Sequence, residues 1–520
     1  MIHTHMLFPR RYVLTPFSSS LDGLLSSWIL GNGGLGAGFC TDTGSCSVDD
    51  SGGIETSACK TFHSRKFRIL GSMIPSSSWT VLKVLKDSGF RSYLVGGCVR
   101  DLILHRVPKD FDVVTTATLD EIKEKFHCCR IIGRRFPICR VQIRNSFVEV
   151  SSFETVARNT ENREEFLSAN MPALRDRENV ILWRNSMSRD FTVNSLFFDP
   201  FARKILDFSN GVEDLRSSML RTLLPAELSF KVDCAIILRG LRIAARLRFR
   251  LSKDIENIIG SFLPAVTSLR KGRLMMELDY MLSYGAALPS LLMLKRYGLL
   301  EVLLPFQVAY IQDNAMERPA QSSSLLVKLI SKLDKLVSCD RPCHCTLWVS
   351  LLVFHLALVN HPQDALVIWA IGSVLYYGQW KEGVHFALGH AHRPIAFVPE
   401  IMGLSRFGND ELAERVSKVA SLAQEYVAVL SDVDSMLKYP NVPSSGVVII
   451  PWKVARDVGE IFRPLASDVE SFKSKREGFE IDYQFLKRGF LSETRFALGK
   501  IILDTMSDAA LQGEGKTGIV

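Results

Sequence analysis

The sequence lacks any uninterrupted run of roughly 18 apolar residues, the minimum expected for a membrane-spanning helix. Its longest apolar stretches cover residues 347–359 and 365–377, and the polar segment His361–Asp364 separates them. Each stretch is too short to cross a bilayer. The sequence therefore predicts two buried helices here and no membrane partner.

Cysteine pairs of the Cys-x-x-Cys type are also missing, although the chain has 11 cysteines. Such pairs are typical of zinc sites, and we recognise no secretory signal that would favour disulfides. Zinc remains a minor alternative because four possible ligands lie close together: Cys339, Cys343, His344 and Cys345. We expect a reducing compartment and free thiols.

Acidic residues are scarce at the start of the chain, where Asp22 is the only one before Thr41. Arg10 and Arg11 lie near the start, and serines 18–20 follow. This composition is typical of organellar transit peptides. We expect residues 1–70 to be a disordered extension that directs the protein to a mitochondrion or plastid. The alternative is a disordered extension without a targeting signal, in a protein of the cytoplasm or nucleus.

The remaining length is sufficient for two to four modules, since domains commonly have about 100 to 200 residues. A net charge of +8 suits a nucleic-acid partner without proving one. Arg239, Arg242 and Arg246 recur at helical spacing and should lie on one helix face. That face either contacts phosphates or is simply solvated.

A Gly-Gly turn and two nearby aspartates form the most informative motif, Leu94-Val-Gly-Gly-Cys-Val-Arg-Asp101 followed by Lys109-Asp-Phe-Asp112. We predict a strand over 92–95, a helix from Val99 and a second strand over 111–114. Gly96 and Gly97 would let the backbone approach a triphosphate at the start of the helix. Asp110 and Asp112 would project from one strand face, about 7 Å apart, and share Mg²⁺. Each element alone is common, and solvated Asp-x-Asp strand ends are the ordinary alternative.

Further segments follow in a fixed order: Ser188-Arg-Asp-Phe-Thr-Val-Asn-Ser-Leu196, Asp207 with Gly211-Val-Glu-Asp-Leu215, Leu238-Arg-Gly-Leu-Arg-Ile-Ala-Ala-Arg-Leu247, and Arg273-Leu-Met-Met-Glu277. Together with the first motif they resemble the tRNA nucleotidyltransferase and bacterial-type poly(A) polymerase family. The resemblance runs from about Ser92 to about Pro305. No later segment resembles a known motif.

The resemblance implies an α+β chain with a mixed-sheet nucleotidyltransferase head and an all-helical remainder. We place the head at 75–225, the neck at 226–310, the helical body and tail at 311–506 and a disordered tail at 507–520. Within the head, residues 140–143 and 147–150 alternate around Asn145-Ser146 and predict a hairpin. Residues 156–179 show little periodicity and predict a mobile loop, whereas 232–247 should be one neck helix.

The resemblance also assigns roles to individual residues, with Mg²⁺ as the cofactor and ATP as the substrate. Asp110 and Asp112 would hold the metal, and Glu149 is a third catalytic acid unless it merely faces solvent. Arg100 would contact the triphosphate, Arg189 and Asp190 the ribose. The full nucleotide-binding set comprises Gly96, Gly97, Arg100, Arg189, Asp190, Asn194, Asp233, Arg239 and Arg242. The predicted RNA-binding residues are Arg246 and Arg273.

The chain departs from the family at the base-selecting positions. Relatives have Glu-Asp-x-x-Arg at the start of the neck helix, and this chain has Val232, Asp233 and Ile236; Ser188 also replaces an arginine. Asp233 can accept a hydrogen bond from the amine of adenine or cytosine, but an isoleucine donates none.

We therefore expect a poly(A)-polymerase-like enzyme that extends an RNA 3′ end from ATP. Ser195, where many CCA-adding relatives have alanine, favours this hypothesis. Two alternatives stay open, a CCA-adding enzyme and an RNA-binding paralogue with reduced or lost catalysis. The sequence leaves the RNA target and the oligomeric state undetermined.

Overall fold

The computed structural model describes residues 59–514 except 134–135, 155–160, 173–175, 309, 312–323, 392–396, 398, 402, 404–406, 439–446, 448 and 477. The chain divides into two units at Gly52–Gly53. The first unit lies outside the described residues, so the transit-peptide prediction is untested. All of the following structure belongs to the second unit.

A mixed eight-stranded sheet forms the head within the described residues. Its strands are β1 (Lys60–His63), β2 (Ser92–Val95), β3 (Asp112–Thr115), β4 (Cys129–Ile132), β5 (Ile138–Ile143), β6 (Ser146–Ser152), β7 (Phe197–Asp199) and β8 (Lys204–Asp207). The strand order is β1-β8-β7-β2-β3-β6-β5-β4. Only the β3–β6 pair is parallel, and the other neighbours in this sheet are antiparallel. A small parallel pair adds β9 (Met219–Leu220) and β10 (Arg250–Leu251).

The helices of the head and neck are α1 (Ser76–Asp87), α2 (Gly97–Ile103), α3 (Leu119–Lys125), α4 (Glu161–Ala169), α5 (Arg177–Met187), α6 (Gly211–Arg216), α7 (Ala226–Val232), α8 (Ala235–Leu247), α9 (Lys253–Ile258), α10 (Leu263–Thr267), α11 (Lys271–Leu282), α12 (Ala287–Arg296) and α13 (Leu300–Leu303). Short 3₁₀ turns cover Ser64–Phe67, Gly71–Met73, Thr192–Asn194 and Ile259–Phe262.

The later helices are α14 (Leu325–Leu336), α15 (Cys345–Asn360), α16 (Ala365–Tyr377), α17 (Trp380–His390), α18 (Asn409–Ser431), α19 (Val433–Leu437), α20 (Trp452–Ser467), α21 (Tyr483–Arg488) and α22 (Leu491–Glu514). None of the helices in the described part of the chain has the length and apolar run that crossing a membrane requires. This architecture confirms the predicted fold class, a mixed-sheet head followed by helices.

The two faces of the sheet have different partners. On one face the alternating valines of β3, β5 and β6 are buried and share a core with residues of α1 and α3. On the other face Val95 and Val114 pack against residues of α4 and α5, among them Leu167 and Trp183. Towards β6, β5 and β4 this second face becomes polar and exposed. The catalytic candidates Asp112 and Glu149 lie on it.

The two apolar stretches noted in the sequence form α15 and α16, and nearly all of their side chains are buried. Asp364 caps α16 by accepting a hydrogen bond from the Leu366 amide at 2.8 Å. Gly378 ends that helix with φ of 76°, a left-handed conformation that favours glycine. The polar segment between the stretches therefore separates two core helices, as predicted.

Several predicted boundaries are confirmed. The strand over 92–95 has the predicted bounds, and β5 and β6 form the predicted hairpin, with Gln142 opposite Phe147. These elements depend on local alternation and turn residues, which the sequence shows directly. The limits of the head, neck and body as domains stay predictions.

Other boundaries are wrong. Residues 60–63 form a strand inside the segment predicted to be disordered, because their partners Lys204–Asp207 lie far away in the sequence. Helix α4 occupies much of the predicted mobile loop, since Phe166 and Leu167 pack on the head. The neck helix is interrupted at Asp233 and Cys234, and α22 extends to Glu514, beyond the predicted frayed end at Ser507.

Candidate active site

A cavity of about 640 Å³ lies between the second face of the head sheet and helix α8. It brings together residues more than 100 positions apart in the sequence. All of the predicted nucleotide- and RNA-binding residues line it, and so do Asp110 and Asp112; among the predicted set, Glu149 alone does not. We therefore take this cavity as the candidate active site.

Asp112 is the first residue of β3 and pairs with Val95, the last residue of β2. Asp110 precedes the strand and is 69% exposed, so the prediction that both aspartates lie on one strand is wrong. The physical reason is the end of β2: residues before Asp112 have no partner backbone there. Asp110 still lines the same cavity, in the segment that leads into the strand.

Glu149 stands beside Asp112. Val113 pairs with Val150 on parallel strands, so the residues one position earlier, Asp112 and Glu149, share the opposite face. The pKa of Asp112 is raised to about 6, chiefly by burial; the positive charge of Arg189 opposes this shift, and the negative charges of Glu149 and Asp110 contribute to it. Glu149 is itself exposed.

This acid set fits a magnesium ion. Mg²⁺ usually takes one or two carboxylates and completes its shell with water and substrate phosphates. The repulsion that raises the pKa of Asp112 is what a bound divalent cation relieves. In the described residues, no group of three His, Cys, Asp or Glu side chains converges into a ready-made metal cage. Cys343 and Cys345, from the segment considered for zinc, are buried, and burial raises the pKa of both thiols.

Gly96 connects β2 to α2 and has a φ of +81°. A Cβ at this position would also lie 3.0 Å from a terminal nitrogen of Arg189. Two independent constraints thus favour glycine: the left-handed backbone and the close approach of a guanidinium.

Arg189 is half-buried against this turn, and its buried Nε has no hydrogen-bond partner among the described residues. Burial lowers the pKa of the guanidinium, whereas the charges of Asp112 and Asp190 oppose that shift. The structure thus places a cation between the Gly-Gly turn and the acids.

A chain of hydrogen bonds connects the remaining head residues. Arg100 donates to Asp101 at 2.8 Å and to the Asn194 side-chain oxygen at 2.7 Å. The Asn194 amide then donates to Asp190 at 3.0 Å, and Arg239 donates to the second Asp190 oxygen at 2.8 Å. Burial raises the pKa of Asp190, but the charge of Arg239 and these hydrogen bonds lower it by more. The pKa of the Asp190 carboxyl is therefore below its usual range. The predicted residues therefore position each other.

The arginines of α8 do share one face, and that face is not a merely solvated one. Arg239 pairs with Asp190, Arg242 with Glu277 at 3.2 Å, and Arg246 with Asp101 at 3.3 Å. Arg273 also reaches Glu277, at 3.6 Å, and the Glu277 side chain is 1% exposed. These pairs hold four guanidinium groups along the cavity wall, where phosphates would need them.

The base-selecting departures lie where the neck is interrupted. Val232 ends α7, and one oxygen of Asp233 accepts a hydrogen bond from the Ala235 amide at 3.1 Å. Ile236, in the first turn of α8, lines the cavity with its hydrocarbon side chain. Since Arg239 is already engaged by Asp190, it is poorly placed to replace an arginine at position 236.

Sequence reasoning missed other residues that line the cavity, among them Arg163, Lys109 and Tyr280. Arg163 lies on α4 and donates to the Met187 carbonyl at 3.0 Å. The Lys109 ammonium lies 4.1 Å from the ring centre of Tyr280, a cation–π distance. Tyr280 follows Glu277 by three residues, and this helical spacing could have identified it as a neighbour of the site. For α4, the local signal in the sequence is the apolar pair Phe166 and Leu167.

Paired acids beside a glycine turn, opposite a wall of arginines, define a nucleotide-binding cavity of the nucleotidyltransferase kind. Residues 92–221 match the family model described as the poly A polymerase head domain. Residues 248–311 match the probable RNA and SrmB-binding site of polymerase A.

Two curated relatives illustrate the range. Poly(A) polymerase I of Haemophilus influenzae is 31% identical over 50% of this chain and 57% of its own length. A CCA-adding enzyme of Staphylococcus epidermidis is 30% identical over 38% of this chain and 47% of its own. The chain thus spans about half the length of the curated relatives it matches.

The solved structure of the Bacillus stearothermophilus CCA-adding enzyme with CTP has 21% identity and a TM-score of 0.42, covering 75% of this chain and 92% of that one. The sequence matches confirm the resemblance drawn from the motifs. The chain contains the head and RNA-binding domains of the poly A polymerase family and is a distant homologue of bacterial poly(A) polymerase I and CCA-adding enzymes.

Proposed function

We propose that this protein adds adenylate to RNA 3′ ends from ATP, with Mg²⁺ as the metal. The observation that carries the proposal is the juxtaposition of Asp112 and Glu149 on one sheet face, with Asp110 at the same cavity. The Gly96–Gly97 turn lies on the neighbouring strand connection. Nucleotidyl transfer needs such a face because acids and a phosphate-binding turn must meet at one reacting phosphorus.

Each wall of the cavity has a separate task in this proposal. Asp110 and Asp112 would hold Mg²⁺, with Glu149 beside them. When bound, Mg²⁺ lowers the pKa of a hydroxyl nucleophile and neutralises charge on the triphosphate. Arg100 and Arg189 lie beside the Gly96–Gly97 turn and would stabilise negative charge on the triphosphate. The ion pairs of Arg239, Arg242 and Arg246 preorganise the neck wall, so little side-chain freedom is lost when a nucleotide binds.

Base selection would depend on Asp233 without the arginine of the family. The Asp233 oxygen left after the bond to Ala235 can accept from the amine of adenine or cytosine. Arg163 lines the same cavity from α4 and would supply the donor for a second base contact. Adenine preference is thus a hypothesis about Asp233 and Arg163 acting together.

Primer extension of the purified full chain tests the proposal, with a short RNA and each nucleoside triphosphate supplied alone. A ladder of many additions from ATP supports a poly(A)-polymerase-like activity. Addition of two cytidylates and one adenylate to a tRNA lacking its terminal CCA, followed by arrest, would identify a CCA-adding enzyme instead. RNA binding without extension by any nucleotide would overturn the catalytic proposal in favour of a binding paralogue.

A further inference from the structure

The outer face of the β4–β5–β6 meander carries a row of side chains that the proposed catalytic residues do not use. Arg130 lies opposite Arg140, and Arg140 lies opposite Glu149. Directly opposed residues project to the same face, so this row continues through Glu149 to Asp112. The outer face therefore forms one surface with the candidate catalytic acids.

One pair in this row, Arg130 opposite Arg140, is unfavourable for the stability of the sheet, because like charges directly opposite each other repel. Both are exposed, and neither has an ion-pair partner among the described residues. The buried face of the same strands holds valines and Cys139, so the hairpin is stable without these arginines. Two exposed cations beside the active site suit an anionic partner.

An aromatic ring completes the surface. Phe147 lies opposite Gln142 on the same face and is 53% exposed. The Arg140 guanidinium lies 4.2 Å from the centre of its ring, a cation–π distance. Exposed aromatic rings next to arginines form the stacking platforms of single-stranded nucleic acid binding sites.

The geometry of transfer indicates which substrate passes here. The attacking and leaving oxygens lie roughly in line across the reacting phosphorus. The Gly96–Gly97 turn follows β2, on one side of β3, and β6 lies on the other side. A pyrophosphate leaving group on the β2 side requires the attacking 3′-hydroxyl to arrive from the β6 side. That approach crosses β6, β5 and β4.

We infer that the outer face formed by Arg130, Arg140 and Phe147 binds the single-stranded 3′ segment of the RNA substrate. At the usual strand spacing, Arg140 is about 10 Å and Arg130 about 14 Å from Asp112. The arginines contact successive phosphates upstream of the 3′ end, and Phe147 stacks on a base. This inference rests on the proposed function, since it assumes that RNA is the nucleophile.

The test compares two charge-matched double variants of the full chain. Arg130→Ala with Arg140→Ala removes the cations of the outer face. Lys123→Ala with Lys125→Ala removes the same charge from α3, which packs on the buried face of the sheet. A third variant, Phe147→Ala, removes the ring, and Phe147→Trp restores an aromatic surface. All of these side chains are exposed, so thermal unfolding should confirm intact folds.

Binding of a fluorescent single-stranded RNA is measured over a salt series. The arginine pair should lower the slope of log affinity against log salt by about 1.4, since each single-strand phosphate contact contributes about 0.7. The lysine pair should change it far less. Phe147→Ala should weaken RNA binding about fivefold or more, and Phe147→Trp should restore it. In primer extension the KM for RNA should rise, with kcat and the KM for ATP unchanged.

The outcomes separate the two proposals. Active wild-type enzyme whose RNA affinity and salt slope are unaffected by the arginine variants overturns the RNA path. Arginine effects without any effect of Phe147→Ala show a general anion surface and overturn the stacking platform. If the wild-type chain extends no primer, the proposed function is overturned. RNA binding of the variants over the salt series then still tests whether the outer face binds RNA.

Discussion

The head and neck bury charge, whereas the helical body buries hydrocarbon. Around the cavity, Arg100, Asp101 and Glu277 are almost fully buried, and each is held by ion pairs or hydrogen bonds. In the body, α15 and α16 are apolar over nearly their whole length. Buried ion pairs add little stability compared with apolar packing. The difference indicates that the buried charges of the head and neck serve a binding site. The apolar core of the helical body provides most of the stability.

Buried polar pairs in the body, such as His355–Glu400 and Arg476–Glu493, depart from this pattern. His355 and Glu400 are 1% and 2% exposed, and their side chains lie 3.4 Å apart. The Tyr310 ring lies 5.0 Å from the His355 ring. The His355–Glu400 pair connects α15 to the segment just before Ile401. Substitutions around the cavity should therefore mainly lower activity. Substitutions in the helical body should mainly lower the free energy of unfolding.

The largest separation is expected at Asp112. Asp112→Asn removes a charged metal ligand without changing the side-chain volume, so nucleotide addition should fall by at least about 10³-fold. RNA affinity and the unfolding midpoint should remain close to those of the wild type. Single-turnover extension and thermal unfolding measure the two effects. Near-normal rates in both Asp112→Asn and Asp110→Asn would remove the acids from the mechanism.

The opposite separation is expected at Trp369 in the body. This side chain is fully buried, and Trp369→Ala should lower the free energy of unfolding by about 3–5 kcal/mol. Trp452, which is 73% exposed, gives a matched control whose replacement by alanine should cost less than about 0.5 kcal/mol. Urea unfolding tests both. At low temperature the folded Trp369→Ala protein should keep its kcat, and a lower kcat would connect the body directly to catalysis.

Arg242 tests whether the cavity's charges stabilise the fold or bind ligand. Arg242→Met leaves buried Glu277 with Arg273 alone, and this should cost about 2 kcal/mol, less than a fully buried pair because Arg242 is 23% exposed. Adding Glu277→Gln should recover much of that loss. Arg415→Met, which breaks an exposed pair with Glu411, should cost under about 0.5 kcal/mol. A lower salt slope of RNA binding in Arg242→Met, with no change in stability, would show that Arg242 contacts phosphate instead.

The smallest effect is expected at the base-selecting positions. Val232→Glu with Ile236→Arg restores the family's pattern and should raise the preference for ATP over CTP about tenfold, within the 1–3 kcal/mol expected of one base contact. Ile236→Leu keeps a hydrocarbon there and should leave selectivity unchanged. Incorporation of each nucleotide alone gives the measurement. If wild-type selectivity is already strong and is lost in Arg163→Ala, the donor comes from α4.

The sequence predicted features set by local pattern. The β5–β6 hairpin, the strand over 92–95 and the helices α15 and α16 all follow from alternation, turn residues or apolar runs. It did not predict β1, because Lys60–His63 carries only one half-buried apolar residue and its partner strand lies over 140 positions away. Asp110 lies outside the strand because β2 ends at Val95, opposite Asp112. This pairing register depends on the fold and is not visible in the sequence pattern.

The candidate site shows the same division. The family motifs predicted that the acids, the glycine turn and the neck arginines belong to one site. In the structure, these residues lie around one cavity. Their mutual ion pairs were not predictable, since Arg239 and Asp190 are 49 positions apart. Arg163 was missed because the first five residues of α4 are almost all charged, so the segment shows no apolar periodicity. Roles in catalysis and base selection stay predictions for the experiments above.

The edge strand β1 also sets a limit on any shortening of the chain from its N-terminal side. Lys60–His63 covers the backbone of β8, and the Lys60 ammonium donates to Asn210 at 2.8 Å. A maturation protease or an expression design that cut near Lys66 would uncover the amides and carbonyls of Lys204–Asp207. An open edge of this kind recruits strands from other molecules and promotes aggregation. A soluble shortened protein should therefore retain Lys60–His63.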